Sequence, residues 1–183
     1  MKFFIHFLTI SRIILGPIIF VCLIMGFPGL SLILFTYAAL TDYFDGFFAR
    51  HFNMTSVLGA ILDPIADKIL IVFMFCGLII FFNSSFIAIC VSFILGRELL
   101  VGALREFNAL NGNSQATQVT FLAKIKTTVQ LITIGSFLFG AFLNSAFIVF
   151  ISNFFLFAAM IITILTGVQY SLSSLAAFKQ SNN

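Results

Sequence analysis

Residues Thr41–Lys68 read TDYFDGFFARHFNMTSVLGAILDPIADK, and the apolar runs on either side of this stretch decide the fold. Residues 30–48 enter it and residues 58–82 leave it, each almost wholly apolar. A helix crossing the hydrocarbon core needs about 20 such residues. Working outward, four more runs cover residues 7–25, 86–106, 125–143 and 146–170. In lipid every backbone polar group must be satisfied within its own segment, so long apolar runs are helices rather than open strands. The expected fold class is all-α: a polytopic membrane protein with six transmembrane helices, forming one membrane-embedded domain over residues 1–183.

Composition agrees. Hydrophobic residues make up 61% of the 183 residues and charged residues 8%, with 27 Phe; soluble domains have about 45–50% and about 25%. That much apolar surface cannot be hidden in a globule of this size, which excludes a soluble enzyme, a disordered tail and a nucleic-acid binder. Cys22, Cys76 and Cys90 each lie inside an apolar run and read as small hydrophobes, with no metal-ligand spacing and no disulfide framework. Met1–His6 lacks a small-residue cleavage site, so the first run reads as a membrane helix rather than a removed signal peptide.

The breaks between the runs are of two kinds. Phe27-Pro28-Gly29, Asn83-Ser84-Ser85 and Asn144-Ser145 are short and uncharged. The other breaks and the termini contain or border Lys2, Arg12, Arg50, Arg105, Lys124, Lys126 and Lys179. The basic residues therefore mark alternate breaks, which face one side. The positive-inside rule makes that side cytoplasmic, with both termini there, in the cell (inner) membrane. Arg12 falls within the first run, five residues before Pro17. It suits either snorkelling to the interface or lining a polar cavity.

Four of the six acidic residues lie in one window. Asp42 and Asp45 are spaced i, i+3 at the cytoplasmic end of helix 2, and Asp63 and Asp67 are spaced i, i+4 at the cytoplasmic start of helix 3, so each pair shares a helix face. An antiparallel pairing of the two helices gathers all four carboxylates. Ionisable groups at membrane depth mark functional sites by default. Arg50 and Lys68, the bases nearby in sequence, do not neutralise four aspartates. A hard divalent cation does: Mg²⁺ takes oxygen ligands and keeps positions open for phosphates. His51, in the connecting loop, reads as a solvated residue.

Written in full, the window is Asp42-x₂-Asp45-Gly46-x₂-Ala49-Arg50-x₈-Gly59-x₃-Asp63-x₃-Asp67. It resembles the signature of the CDP-alcohol phosphatidyltransferases at all eight specified positions. The resemblance implies transfer of a phosphatidyl group from CDP-diacylglycerol to an alcohol, with release of CMP. It implies that Asp42, Asp45 and Asp63 hold two Mg²⁺ or Mn²⁺ ions with Asp67 within reach, and that Asp67 is the base for the acceptor hydroxyl. It also implies that Gly46 and Ala49 leave room for the nucleotide, while Arg50 and Ser56 contact the phosphates or nucleotide of the donor. Gly59 reads instead as a packing position between helices 2 and 3.

The acceptor is read from a second region. Gly96–Phe107 holds the other two acidic residues, Glu98 and Glu106, together with Arg97 and Arg105. Lys124-Ile125-Lys126-Thr127-Thr128 opens helix 5 on the same side. Arg105, Lys124 and Lys126 suit an acceptor that itself carries a phosphate. The two lysines also serve as topological anchors, and Arg97 with Glu98 reads as a structural ion pair. Both segments resemble the branch of the family whose acceptor is sn-glycerol 3-phosphate. Phosphatidylglycerol, inositol phosphate and serine are the alternative acceptors. The family's N-terminal Asn-x₂-Thr-x₂-Arg is His6-x₂-Thr9-x₂-Arg12 here, and imidazole offers different hydrogen bonds to a nucleotide.

A cation transporter is the rival from another class, but carriers place their sites near the midplane of paired repeats. Here the aspartates lie towards one face and no repeat is visible. The Phe-rich helix surfaces suit either lipid or a homodimer contact.

Overall fold

The computed structural model describes the backbone of residues 2–51, 57–112 and 121–181, and the side chains of residues 10–41, 62, 64–112 and 125–178. The described residues form six helices: α1 (Lys2–Ile24), α2 (Pro28–His51), α3 (Val57–Phe82), α4 (Ser85–Leu110), α5 (Phe121–Phe142) and α6 (Ala146–Ser181). The expected all-helical architecture is present. Pro64–Phe82, Ser85–Leu110, Ile125–Phe142 and Ala146–Phe178 are long and apolar enough to cross a membrane; α1 and α2 contribute the shorter apolar stretches Ile10–Ile24 and Pro28–Thr41. This is a multi-pass membrane protein.

The short breaks close the helices through local chemistry. Gly26 has φ +86°, and the bonds Gly26 N–H to Leu23 O and Phe27 N–H to Cys22 O form a Schellman cap. Pro28 then opens α2, where its missing N–H has no cost. Asn144, at φ 49°, ends α5 in the same way, with Asn144 N–H to Ala141 O and Ser145 N–H to Gly140 O. Asparagine tolerates this left-handed conformation better than most residues.

The structure differs from the sequence reading at α6, which runs eleven residues past the expected end at 170. The polar residues Thr163, Thr166, Tyr170 and Ser174 are all buried. They recur at helical spacing, so the face that packs inward simply continues. A helix of 36 residues is roughly 54 Å long, against a hydrocarbon core of about 30 Å.

The chain divides into two compact units, residues 1–84 with 134–152, and residues 85–133 with 153–183. In the first, α1 packs on α2 and α3. A Cβ at Gly16 of α1 would stand 3.4 Å from the Leu70 Cα of α3, and one at Gly77 of α3 would stand 3.2 Å from Leu23 of α1. Phe20 and Phe73 meet edge-on between them at 5.8 Å. The pairings Gly16–Leu70, Phe20–Phe73 and Leu23–Gly77 advance together, so α1 and α3 run parallel. Small residues on both sides let the backbones approach where lipid supplies no hydrophobic drive for association. In the second unit α4 and α6 also run parallel, as Phe86–Phe157 (6.5 Å) and Phe107–Phe178 (5.9 Å) show.

Large apolar side chains point outward throughout, Ile33, Phe147, Phe150 and Phe154 among them. Such an apolar exterior around an apolar interior is what a lipid solvent allows.

Candidate active site

The aspartate signature lies on two continuous helices, with Asp42 and Asp45 on α2 and Asp63 and Asp67 on α3. The turn between α1 and α2 makes these two antiparallel, and the Ser31 hydroxyl on α2 donates back to Ile19 O on α1 at 3.4 Å. Since α3 runs parallel to α1, α2 and α3 are antiparallel. Asp45 and Asp63 each lie six residues from the adjoining helix end, roughly 9 Å. Asp42 and Asp67 lie nine and ten residues in, roughly 14–15 Å. Both aspartate pairs therefore lie toward the connected ends of the two helices.

Among the four, the described side chain is Asp67; those of Asp42, Asp45 and Asp63, with Arg50, His6 and Lys124, lie outside the described side chains, as do positions Gly46, Ala49 and Gly59. Ser56 lies outside the described backbone as well. The donor set is four carboxylates without sulfur or imidazole, which fits a hard divalent cation and not a soft one.

Arg12 does not snorkel. It is fully buried, and its Nη1 donates to Asp67 Oδ1 at 2.7 Å. The Asp67 side chain keeps 39% of its surface open. A guanidinium in lipid costs several kcal/mol unless paired, and this contact across α1 and α3 supplies the pair. The sequence showed the charge within the span but not its partner, 55 residues away.

The second unit holds a further ionic cluster among the described residues. Glu98 accepts from both Lys126 Nζ and Arg97 Nη1, the latter at 3.5 Å, so the expected Arg97–Glu98 pair is present and Lys126 joins it. Arg97 Nη2 donates to the Thr166 hydroxyl at 2.9 Å. The Tyr170 ring faces Arg97 at 5.7 Å and Arg105 at 5.6 Å, within cation–π range. Lys126 is buried and Arg105 is exposed. Gln130, one turn beyond Lys126 on α5, is buried too. Sequence reasoning overlooked Thr166 and Tyr170, and the periodic polar stripe Thr163-Thr166-Tyr170-Ser174 within an apolar run was the available signal. An apolar groove of about 390 Å³ between α4 and α6, lined by Phe93, Gly96, Leu100, Val168 and Leu172 beside Arg97, has the character of a lipid-facing crevice.

The family model for CDP-alcohol phosphatidyltransferases matches residues 6–168. The chain belongs to that family. Three relatives, each named CDP-diacylglycerol–glycerol-3-phosphate 3-phosphatidyltransferase, align over 166 residues, 89% of this chain and 90% of their own length. The protein of Wigglesworthia glossinidia brevipalpis is 35% identical. Salmonella choleraesuis (strain SC-B67) has one at 31% and Shigella flexneri one at 30%. As a CDP-alcohol phosphatidyltransferase the chain is an enzyme of phospholipid synthesis, and the resemblance drawn from Asp42–Asp67 is borne out.

Proposed function

We propose that this CDP-alcohol phosphatidyltransferase transfers the phosphatidyl group of CDP-diacylglycerol to a hydroxyl of sn-glycerol 3-phosphate, forming phosphatidylglycerol phosphate and releasing CMP. The observation that carries the reading is the full eight-position signature on two antiparallel helices, with both aspartate pairs toward their connected ends; the names of the relatives support the acceptor.

In this reading Asp42, Asp45 and Asp63 hold two divalent ions, Mg²⁺ or Mn²⁺, with Asp67 within reach. When bound, such ions neutralise the pyrophosphate and stabilise the departing phosphate. Asp67 accepts the proton of the acceptor hydroxyl as its oxygen bonds to the phosphatidyl phosphorus and the bond to CMP breaks. A base for this step must be ionised and within reach of that hydroxyl. Gly46 and Ala49 leave space for the nucleotide, and Arg50 and Ser56 contact the donor. Arg105, Lys124 and Lys126 hold the acceptor's phosphate. In this reading the site and both termini face the cytoplasmic side of the inner membrane, which the basic residues at alternate breaks support.

The test is CMP release by purified protein, with CDP-diacylglycerol in mixed micelles, against a panel of acceptors. Release should require sn-glycerol 3-phosphate. Comparable release with phosphatidylglycerol, inositol phosphate or serine, and none with glycerol 3-phosphate, overturns the acceptor assignment.

A further inference from the structure

Arg12 lies one helical turn before Gly16 on the same face of α1, and Asp67 lies just before Leu70 on the facing side of α3. The close approach at Gly16 and Leu70 sets the spacing across which the guanidinium reaches the carboxylate. Arg12 is wholly enclosed while Asp67 stays partly open. The contact thus grips the carboxylate from its buried side.

A pair that only glued α1 to α3 has a cheaper substitute, because replacing a buried ion pair by apolar residues is often neutral or stabilising. Arg12 is too enclosed to meet a substrate. We infer that Arg12 is a positioning residue: by holding Oδ1 it fixes the rotamer in which Asp67 presents its carboxylate to the acceptor hydroxyl. The inference rests on the reading of Asp67 as the proton acceptor. Misplacing a reacting group by about 1 Å can cost about 10²-fold in rate.

The experiment compares Arg12→Gln, Arg12→Met and Arg12→Lys in purified protein, with folding followed by size exclusion and melting temperature. For Arg12→Gln the expected result is a kcat about 10–100-fold lower, with KM for both substrates and the Kd for Mn²⁺ alone, read by electron paramagnetic resonance without substrates, each within about threefold of the wild type. Arg12→Lys, which keeps a cation on the carboxylate, should recover kcat to within about fivefold. Arg12→Met keeps apolar bulk between the helices and should behave as Arg12→Gln does, which covers poor folding of the latter. Wild-type kcat in either neutral variant overturns the inference, and so does a loss carried by KM or by Mn²⁺ affinity. Failure of both neutral variants to fold, beside a fully active Arg12→Lys, makes Arg12 a structural cation and overturns it too. Asp67→Asn separates the two readings: normal turnover there sinks the base assignment itself, whereas an inactive Asp67→Asn beside an active Arg12→Gln sinks the positioning role alone.

Discussion

The stem of Arg97 occupies the space that a side chain at Gly167 would need: a Cβ there would stand 2.7 Å from Arg97 Cγ. Glycine on α6 is thus the reason an arginine halfway along the apolar helix α4 can lie flat and reach Glu98, Thr166 and the Tyr170 ring. Gly167→Ala must push that stem aside, and overpacking of this kind costs about 1–3 kcal/mol. The expected outcome is a melting temperature several degrees lower for purified Gly167→Ala, with Gly167→Leu failing to accumulate. An unchanged melting temperature for both would contradict the packing described.

Glu98 is the shared acceptor of two cations, so its removal leaves both of them poorly paired. Breaking a buried pair from one side typically costs about 3–5 kcal/mol. Glu98→Gln is expected to be strongly destabilised, and the double variant Glu98→Gln/Lys126→Gln to regain part of that loss. Thermal melts of the two in one detergent decide it, since equal destabilisation would mean that Lys126 draws nothing from Glu98.

Gly16 makes a prediction about activity at a distance from the chemistry. Gly16→Ala adds a methyl at 3.4 Å from the Leu70 Cα, a contact that a small adjustment accommodates. Gly16→Leu has no room and must part α1 from α3, drawing Arg12 from Asp67. CMP release should survive in the first within about threefold and fall by about tenfold or more in the second. Equal activity in both would uncouple the seam from the site.

Asp67→Asn removes the charge but keeps an oxygen for Arg12 Nη1, whereas Asp67→Ala removes the acceptor altogether. Loss of a hydrogen-bond partner from a buried group costs about 1–3 kcal/mol. Both variants should lose CMP release, and Asp67→Ala should melt below Asp67→Asn. The order of the two melts checks the Arg12 contact independently of turnover.

Four carboxylates as a cation site predict that chelation with EDTA abolishes CMP release and that Mg²⁺ or Mn²⁺ restores it. Undiminished turnover in chelator would remove the metal from the reading.

Much of this protein was legible along the chain. Lipid as solvent demands long apolar runs, so the number of helices and the breaks at Phe27-Pro28-Gly29 and Asn144-Ser145 could be read directly from residue type. The aspartate signature was legible too, because i, i+3 and i, i+4 spacings place side chains on one helix face whatever surrounds them. The end of α6 was not, because apolarity fades there while Tyr170 and Ser174 still face inward.

The partners of the buried charges were decided by the tertiary structure alone. Arg12 reaching Asp67 across 55 residues, and Glu98 joined by Lys126 as well as its neighbour Arg97, depend on how closely whole helices approach. That approach is set by Gly16 and Gly167 against particular neighbours on other helices. Spacing along one helix follows from backbone geometry, but contact between helices follows from packing, and only the folded chain brings those surfaces together.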